Sequence, residues 1–263
     1  MTLSHWMHRN FVAVLCSGSS GNSFLISSQD GAVLVDAGMS CRELEKRMSI
    51  FGEEPSGILG VVLTHEHTDH TRGARKFCLE HEVPLYGTRG TLALTPHEGN
   101  EAKTVAEGKS FKVGDISFTP FKVRHLAAEP VAYSITLDSQ KVSIASDLGC
   151  VTSNVVEHMR GSNLLVVEAN YDEEMLLKGS YPDFLKRAIK SDHGHLSNDD
   201  AGALAGQATT SKTDEIVLVH LSKENNTPEK ARGTVEDRLK KSKHKARVNV
   251  TEHGSSSGPH SLG

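Results

Sequence analysis

The chain has 263 residues, 37% of them hydrophobic and 24% charged, values of a globular protein that exclude a disordered or fibrous one. Its formal charge of −4 gives no global attraction for polyanions, so any nucleic-acid contact needs a local basic patch. No segment is apolar for long enough to span a bilayer, and the start, MTLSHWMHRNFVAVLC, lacks the apolar core and cleavage site of a signal peptide, so a cytoplasmic protein with no membrane partner is expected.

Apolar, β-branched runs bounded by turn residues predict strands. The first two, FVAVLC and SFLIS, are joined by the Gly-rich segment Ser17 to Ser23. Its backbone amides could cradle a phosphate, but it has no Walker lysine, so no nucleotide cofactor is expected, and a tight hairpin connection is the plainer reading. AVLVDAG follows, then a helical segment over 40–50, the run GVVLTH, and a second helical segment over 71–82. In the second half ISFTPFKV, VAYSITL and KVSIASD precede a helix over 151–160. NLLVVEAN, helices over 183–190 and 197–208, EIVLVHL and a helix over 227–242 complete the series. Strands come first and helices follow in both halves, a pattern that suits sheets covered by outer helices. No stretch looks like a linker, so one domain over 1–252 is expected. The small, polar, Gly-rich residues of 253–263 predict a flexible tail.

The four cysteines, Cys16, Cys41, Cys78 and Cys150, are far apart and form no CxxC pair. Neither a disulfide framework nor a thiolate zinc knuckle is suggested, and they read as buried thiols. The fifteen histidines are more informative. In THEHTDH, residues 64 to 70, His65 and His67 alternate and would share one face of a continuing strand. Thr68, Asp69 and His70 suggest a turn into a helix at Thr71, which lets all four groups converge. Imidazole and carboxylate suit borderline divalent cations. A helix N-terminus capped by Asp69, with solvated histidines, is the bland alternative, but HxHxDH is far more specific than a single histidine pair. This loop cannot complete a two-metal site alone. His125, Asp147 and His220 each close an apolar run; singly such residues are more often caps or turn formers, but jointly they predict the missing ligands.

HxHxDH followed by a His, an Asp and a His in that order resembles the metallo-β-lactamase-fold hydrolases, and the resemblance runs from about residue 11 to 252. It implies an α/β fold, an αββα sandwich of two mixed sheets flanked by helices, with a dinuclear site on the sheet edge. It also implies His65, His67 and His125 on a first metal, Asp69, His70 and His220 on a second, and Asp147 bridging both. VLCSGSSGNSFLI, EANYDEEMLLKGSYP, SDHGHLSNDDAG and VLVHLSKENNTPE look like the WalJ/YycJ group of bacterial 5′-to-3′ exodeoxyribonucleases. One departure is visible: related sequences have Asp after the third ligand histidine, whereas Leu126 follows His125.

Two cations about 4 Å apart lower the pKa of a bridging water toward neutrality, so a hydroxide nucleophile, oriented by Asp69, is expected. The leaving alkoxide needs a proton. His195, in a Gly-flanked loop before a helix beginning near Ser197, is the candidate donor, with a helix-packing role as its alternative; His193 has less support. By resemblance Glu168 would hydrogen-bond His195 and set its tautomer, with a buried carboxylate paired to a local backbone amide as the alternative. Ser222, Asn225 and Asn226 could donate to phosphate oxygens, although such residues are common in plain turns. The run RLKKSKHKAR, with Lys240, Lys241, Lys243, Lys245 and Arg247, could track a nucleic-acid backbone, or be a solvated helix end.

The expected function is a dinuclear metal-dependent phosphodiesterase, a 5′-to-3′ exonuclease by the resemblance, with DNA as substrate and partner, with zinc as the first choice of metal and manganese as the second. Hydrolysis of a small cyclic phosphodiester is the enzymatic alternative, and a metal-stabilised regulatory protein the non-enzymatic one. Cleavage polarity, DNA against RNA and oligomeric state are left open by the sequence.

Overall fold

The computed structural model describes residues 10–242 and 245–262. Two seven-stranded sheets carry the apolar runs. The first has the order β14 (Ser257–Ser261), β1 (Phe11–Cys16), β2 (Ser23–Ser27), β3 (Ala32–Val35), β4 (Ile58–Val62), β5 (Leu85–Thr88) and β6 (Ala102–Val105). The second has the order β7 (Phe111–Val113), β8 (Ile116–Lys122), β9 (Val131–Leu137), β10 (Gln140–Ala145), β11 (Leu164–Glu168), β12 (Glu215–Val219) and β13 (Arg247–Val250). From β14 to β3 the neighbours run antiparallel, and from β3 to β6 parallel. From β7 to β10 they are again antiparallel, and from β10 to β13 parallel. Both sheets therefore follow one plan.

Strand residues alternate between two cores. Val12, Val14, Phe24, Ile26, Val33 and Val35 pack against Phe118, Tyr133, Ile135 and Val166 of the other sheet. Their neighbours Phe11, Ala13, Leu15, Leu25 and Leu34 face outward onto Leu44 and Met48 of α1 (Cys41–Ile50) and Phe77 of α3 (Ala74–Glu80). On the far side Leu165, Val167, Ile216 and Leu218 pack under α5 (Ser153–Met159), α8 (Asn198–Ala208) and α9 (Pro228–Ser242). Burial on both faces is why these strands read as continuous apolar runs. The result is the expected αββα sandwich.

Two expectations change. The helix over 71–82 is two short ones, α2 (Thr68–Thr71) and α3, because Gly73 abuts the loop after β3. Its N–H donates to the Ala37 carbonyl at 2.8 Å, and a Cβ there would lie 2.1 Å from the Met39 carbonyl oxygen. The flexible tail is also corrected: Ser257–Ser261 is a strand, with Phe11 opposite Ser261 and Val12 opposite His260. Leu262 joins the core between the sheets. Small residues suffice there because the segment covers the open edge of β1, where backbone pairing matters more than side-chain size.

The same strand fastens the sheets together. Glu215 at the start of β12 accepts hydrogen bonds from Asn249 of β13 and, at 2.7 Å, from His260 Nδ1 of β14. Burial opposes the Glu215 charge, but the bonds from His260 and Asn249 outweigh it and lower the pKa below the usual carboxylate value. A depressed carboxylate stabilises the fold above its unfolded-state pKa, and that contribution is lost as pH falls through the folded-state value. Glu215→Gln should therefore cost about 1–3 kcal/mol at pH 7. The deficit, read from denaturant midpoints, should shrink as pH approaches 4; a constant deficit would mean the charge is irrelevant.

Candidate metal centre

The candidate residues lie at the C-terminal ends of strands from both sheets. The loop after β4 carries His65 and His67 and the helix α2 that it leads into carries Asp69 and His70; His125 follows β8, Asp147 follows β10, Glu168 ends β11 and His220 follows β12. Asp147 and His220 have φ of 51° and 58°, and Asp36, after β3, has 61°. Left-handed backbone at non-glycine residues is strained, and here it turns three acidic or imidazole side chains off their strands at one rim.

All seven expected ligands converge. Ligand atoms of His65, His67 and His125 form one group, those of Asp69, His70 and His220 a second, and Asp147 joins His65 and His70 in a third, each within 4.8 Å. His125 Nε2 is 3.3 Å from His67 Nδ1. Asp147 Oδ2 is 2.7 Å from His70 Nε2, and Asp147 Oδ1 is 3.9 Å from His125 Nε2. Asp69 Oδ2 is 3.7 Å from His70 Nε2 and 3.9 Å from His220 Nε2.

The outer nitrogens are occupied. His65 Nδ1 meets the Thr64 hydroxyl at 2.9 Å, His67 Nε2 the Leu126 carbonyl at 3.0 Å and His70 Nδ1 Asp36 at 2.7 Å. His125 Nδ1 meets the Gly194 carbonyl at 3.0 Å and His220 Nδ1 Glu168 at 2.9 Å. The Gly194 carbonyl thus orients His125 although Leu126, not an aspartate, follows it. Each ring has one nitrogen held by an oxygen and the other turned inward, which is how proteins fix imidazoles for a metal. Inside, His65 Nε2 and His220 Nε2 are buried with no hydrogen-bond partner. Orphaned ring nitrogens facing two carboxylates fit divalent cations.

The electrostatics divide the rings into two pairs. Burial and then positively charged His70 nearby push His65 well below the usual imidazole value, and burial chiefly lowers His125, which keeps both neutral. Burial also opposes a charge on His70, but Asp147 and Asp36 overcome it and raise its pKa to about 10. His220 is likewise raised, by Asp147, Asp69 and Glu168 against burial. A cation on those inner nitrogens would have to displace their protons.

His195 sits over this cluster in the loop before α8, its ring 5.3 Å from that of His125 and 5.2 Å from that of His220. Its Nδ1 bonds Glu168 at 2.7 Å, so Nε2 is the nitrogen left for the mouth, where the side chain is 24% exposed. Burial works against its charge, but Glu168 raises its pKa above the ordinary imidazole value. Glu168 itself is fully buried; its other oxygen accepts the Leu148 and Leu196 amides at 2.7 and 3.3 Å. His193 points to the exposed surface, and only its carbonyl is engaged, by the Leu126 amide.

The phosphate-contact expectation fails for Asn226. Its amide nitrogen donates to the Ala169 and Asn170 carbonyls and its oxygen accepts from Asn198 and the Thr227 amide; it clamps three loops and has no capacity left. Asn225 is buried against Gly179. Ser222 lines a cavity of about 260 Å³ with Lys223, Glu252 and His253. In the basic run Lys240 pairs with Asp237 and Arg247 with Glu215, Lys241 and Lys245 are exposed, and Lys243 lies outside the described residues.

Several supporting residues have no place among the sequence expectations. Asp36 is fully buried and accepts the Thr64 amide and hydroxyl, both at 2.8 Å, besides His70. Asn22 reaches Asp69 at 3.2 Å and His70 at 3.0 Å, and the Ser17 hydroxyl accepts the His220 amide at 2.6 Å. The Gly-rich segment is thus a hairpin connection that also braces the site. Gly38 is required beside it, since a Cβ there would lie 1.7 Å from the Asp69 carbonyl oxygen. For Asp36 a signal existed: it closes the run AVLVD as Asp147 closes KVSIASD.

Comparison with known proteins bears on this arrangement. Residues 32–221 match the family model described as Beta-lactamase superfamily domain. The chain is 35% identical over 230 residues to a Bacillus anthracis protein named Exodeoxyribonuclease YycJ, covering 85% of this chain and 86% of that one. It is 32% identical over 234 residues to Exodeoxyribonuclease WalJ of Streptococcus pneumoniae, covering 86% and 87%. Among solved structures, the metallo-β-lactamase fold protein YhfI of Bacillus subtilis superposes with a TM-score of 0.73 at 20% identity, over 94% of this chain and 98% of that one.

Proposed function

The chain belongs to the β-lactamase superfamily, and from that premise we propose that it is a dinuclear metal-dependent phosphodiesterase that degrades DNA from the 5′ end. The observation that carries the reading is the orientation of five imidazoles, each held from outside by an oxygen with its other nitrogen turned into the cluster: His65, His70, His125 and His220 lie near Asp147 or Asp69, and His67 faces His125. His65, His67 and His125 would hold one cation, Asp69, His70 and His220 the other, with Asp147 shared. Cations bound there would acidify a water and polarise a phosphoryl oxygen, zinc being the first candidate and manganese the second.

The substrate class is supported by the names of the two bacterial relatives, which align over most of the chain. An open cleft of about 450 Å³ beside His125, lined by Lys122, Arg124, Leu126, Glu129 and His193, suits a chain that passes across the site better than a closed pocket would. Among the described residues no helix is long and apolar enough to cross a membrane. Metal-replete protein incubated with end-labelled single- and double-stranded DNA, RNA and a cyclic nucleotide tests the reading. A 5′ label should appear at once in mononucleotide while a 3′ label moves through a ladder. Consumption of the cyclic compound alone would sink it.

His195 is the group we assign to the leaving oxygen. Glu168 holds Nδ1 and favours the imidazolium, so Nε2–H can donate as the alkoxide departs. His195→Ala should lower turnover on DNA by about 10²–10⁴-fold without changing metal content. On a p-nitrophenyl phosphodiester, whose leaving group needs no proton, the loss should largely disappear. An equal loss on both substrates would assign His195 to binding instead.

A further inference from the structure

A second cluster of ligand-type side chains lies away from the strand ends, on the helical layer over the first sheet. Cys41 opens α1 and Glu45 follows one turn later, so both face the same way. Glu80 ends α3 and His81 is its C-terminal cap. Packing of the two helices brings the pairs together. Cys41 Sγ is 3.3 Å from Glu45 Oε1 and 3.1 Å from Glu80 Oε2, and His81 Nε2 is 2.9 Å from Glu45 Oε1. One ligand atom from each lies within 4.8 Å of all the others.

Hydrogen bonding accounts for this cluster incompletely. A thiol has one proton, yet oxygens of two carboxylates face the sulfur. Lys76, the nearby cation, is on the other oxygen of Glu80, at 3.3 Å. With bonds of about 2.0–2.3 Å, a tetrahedral zinc site has ligand–ligand edges of roughly 3.3–3.7 Å, so the three direct contacts have to open by up to about half an ångström, while the other three edges already lie within 4.8 Å. Access is also suitable. Cys41 is 3% exposed, whereas the Glu45, Glu80 and His81 side chains are 34%, 46% and 22% exposed. An ion could arrive from solvent and come to rest against a buried sulfur.

We propose that Cys41, Glu45, Glu80 and His81 bind one borderline divalent cation, zinc by the character of the ligands, at a site separate from the strand-end cluster. On binding, the thiol proton passes to solvent and the thiolate, one imidazole nitrogen and two carboxylate oxygens become the donors. The cation braces α1 against α3. Those helices follow the loop that carries Asp36 and the short helix α2 that carries His70, so the brace acts on the scaffold of the first site without touching it.

Cobalt distinguishes the two sites, because the strand-end cluster contains no sulfur. Titrating the metal-free full chain with Co²⁺ should produce a near-ultraviolet thiolate-to-cobalt charge-transfer band, and the parent should retain one more zinc per chain than Cys41→Ser. The band should vanish in Cys41→Ser, persist in Cys150→Ser, and require at least tenfold more cobalt in His81→Ala, a surface change that spares the core should the cysteine variant fold poorly. No band at saturating cobalt, a band that survives Cys41→Ser, or unchanged cobalt affinity in His81→Ala would overturn the proposal. None of these readouts depends on what the strand-end cluster hydrolyses.

Discussion

Asp147→Asn is expected to reduce DNA hydrolysis on the order of 10³-fold or more while leaving the fold intact. Asp147 lies near both halves of the cluster, with oxygens 2.7 Å from His70 Nε2, 3.9 Å from His125 Nε2 and 3.6 Å from His220 Nδ1. Asparagine keeps its shape and tolerates the left-handed backbone at this position, so the substitution removes charge and little else. That charge is what a pair of cations would share, and an amide oxygen replaces it poorly. Metal content by elemental analysis should fall together with turnover, while far-ultraviolet circular dichroism stays that of the parent. Turnover within tenfold of the parent at full metal occupancy would remove Asp147 from the shared position. Unfolding of the variant, with a parent that hydrolyses nothing, would favour cations that only hold the fold.

The main strands were legible because both faces of each are buried, so FVAVLC, AVLV and LLVV needed no alternation to stand out. The short partners were not. β6 has three exposed residues of its four, and β13 reads RVNV with Arg247 and Asn249 exposed; pairing with a neighbour makes them strands, not their own pattern. The convergence of the candidate ligands was legible for a physical reason: imidazole and carboxylate groups at the ends of apolar runs have few structural uses, and a layered sheet brings run ends to one rim. What holds those side chains was harder to read. The oxygens on His67 and His125 are backbone carbonyls of Leu126 and Gly194, which any residue supplies. Asn226 shows the converse, since an asparagine six residues after His220 looks free until Asn198 and the carbonyls of Ala169 and Asn170 consume its amide. Cys41 and His81 come from separate helices with no spacing motif between them, so the sequence reads them singly, as a buried thiol and a helix end.

Glu168→Gln should be nearly as damaging as loss of a ligand, although Glu168 faces no solvent and substitutes one oxygen for a nitrogen. One carboxylate oxygen accepts the Leu148 and Leu196 amides and the other accepts Nδ1–H of His195 and of His220. Backbone amides cannot change role, so the glutamine oxygen must take that side and its NH₂ must face the imidazoles. Both rings then have to present an unprotonated Nδ1, which moves the proton to Nε2. On His220 that is the inner nitrogen required by a cation, and on His195 the imidazolium loses its partner. Activity should therefore fall by at least about 100-fold, with loss of roughly one cation per chain. Imidazole nitrogen shifts in NMR spectra should report the tautomer change directly, a signal that a purely structural role would not produce. Glu168→Ala should instead destabilise the fold by about 3–5 kcal/mol, because the buried amides and any imidazolium would be left without an acceptor. If Glu168→Gln retained both cations and the p-nitrophenyl substrate were cleaved at the parental rate, the carboxylate would act on His195 alone and the His220 tautomer would need another guardian.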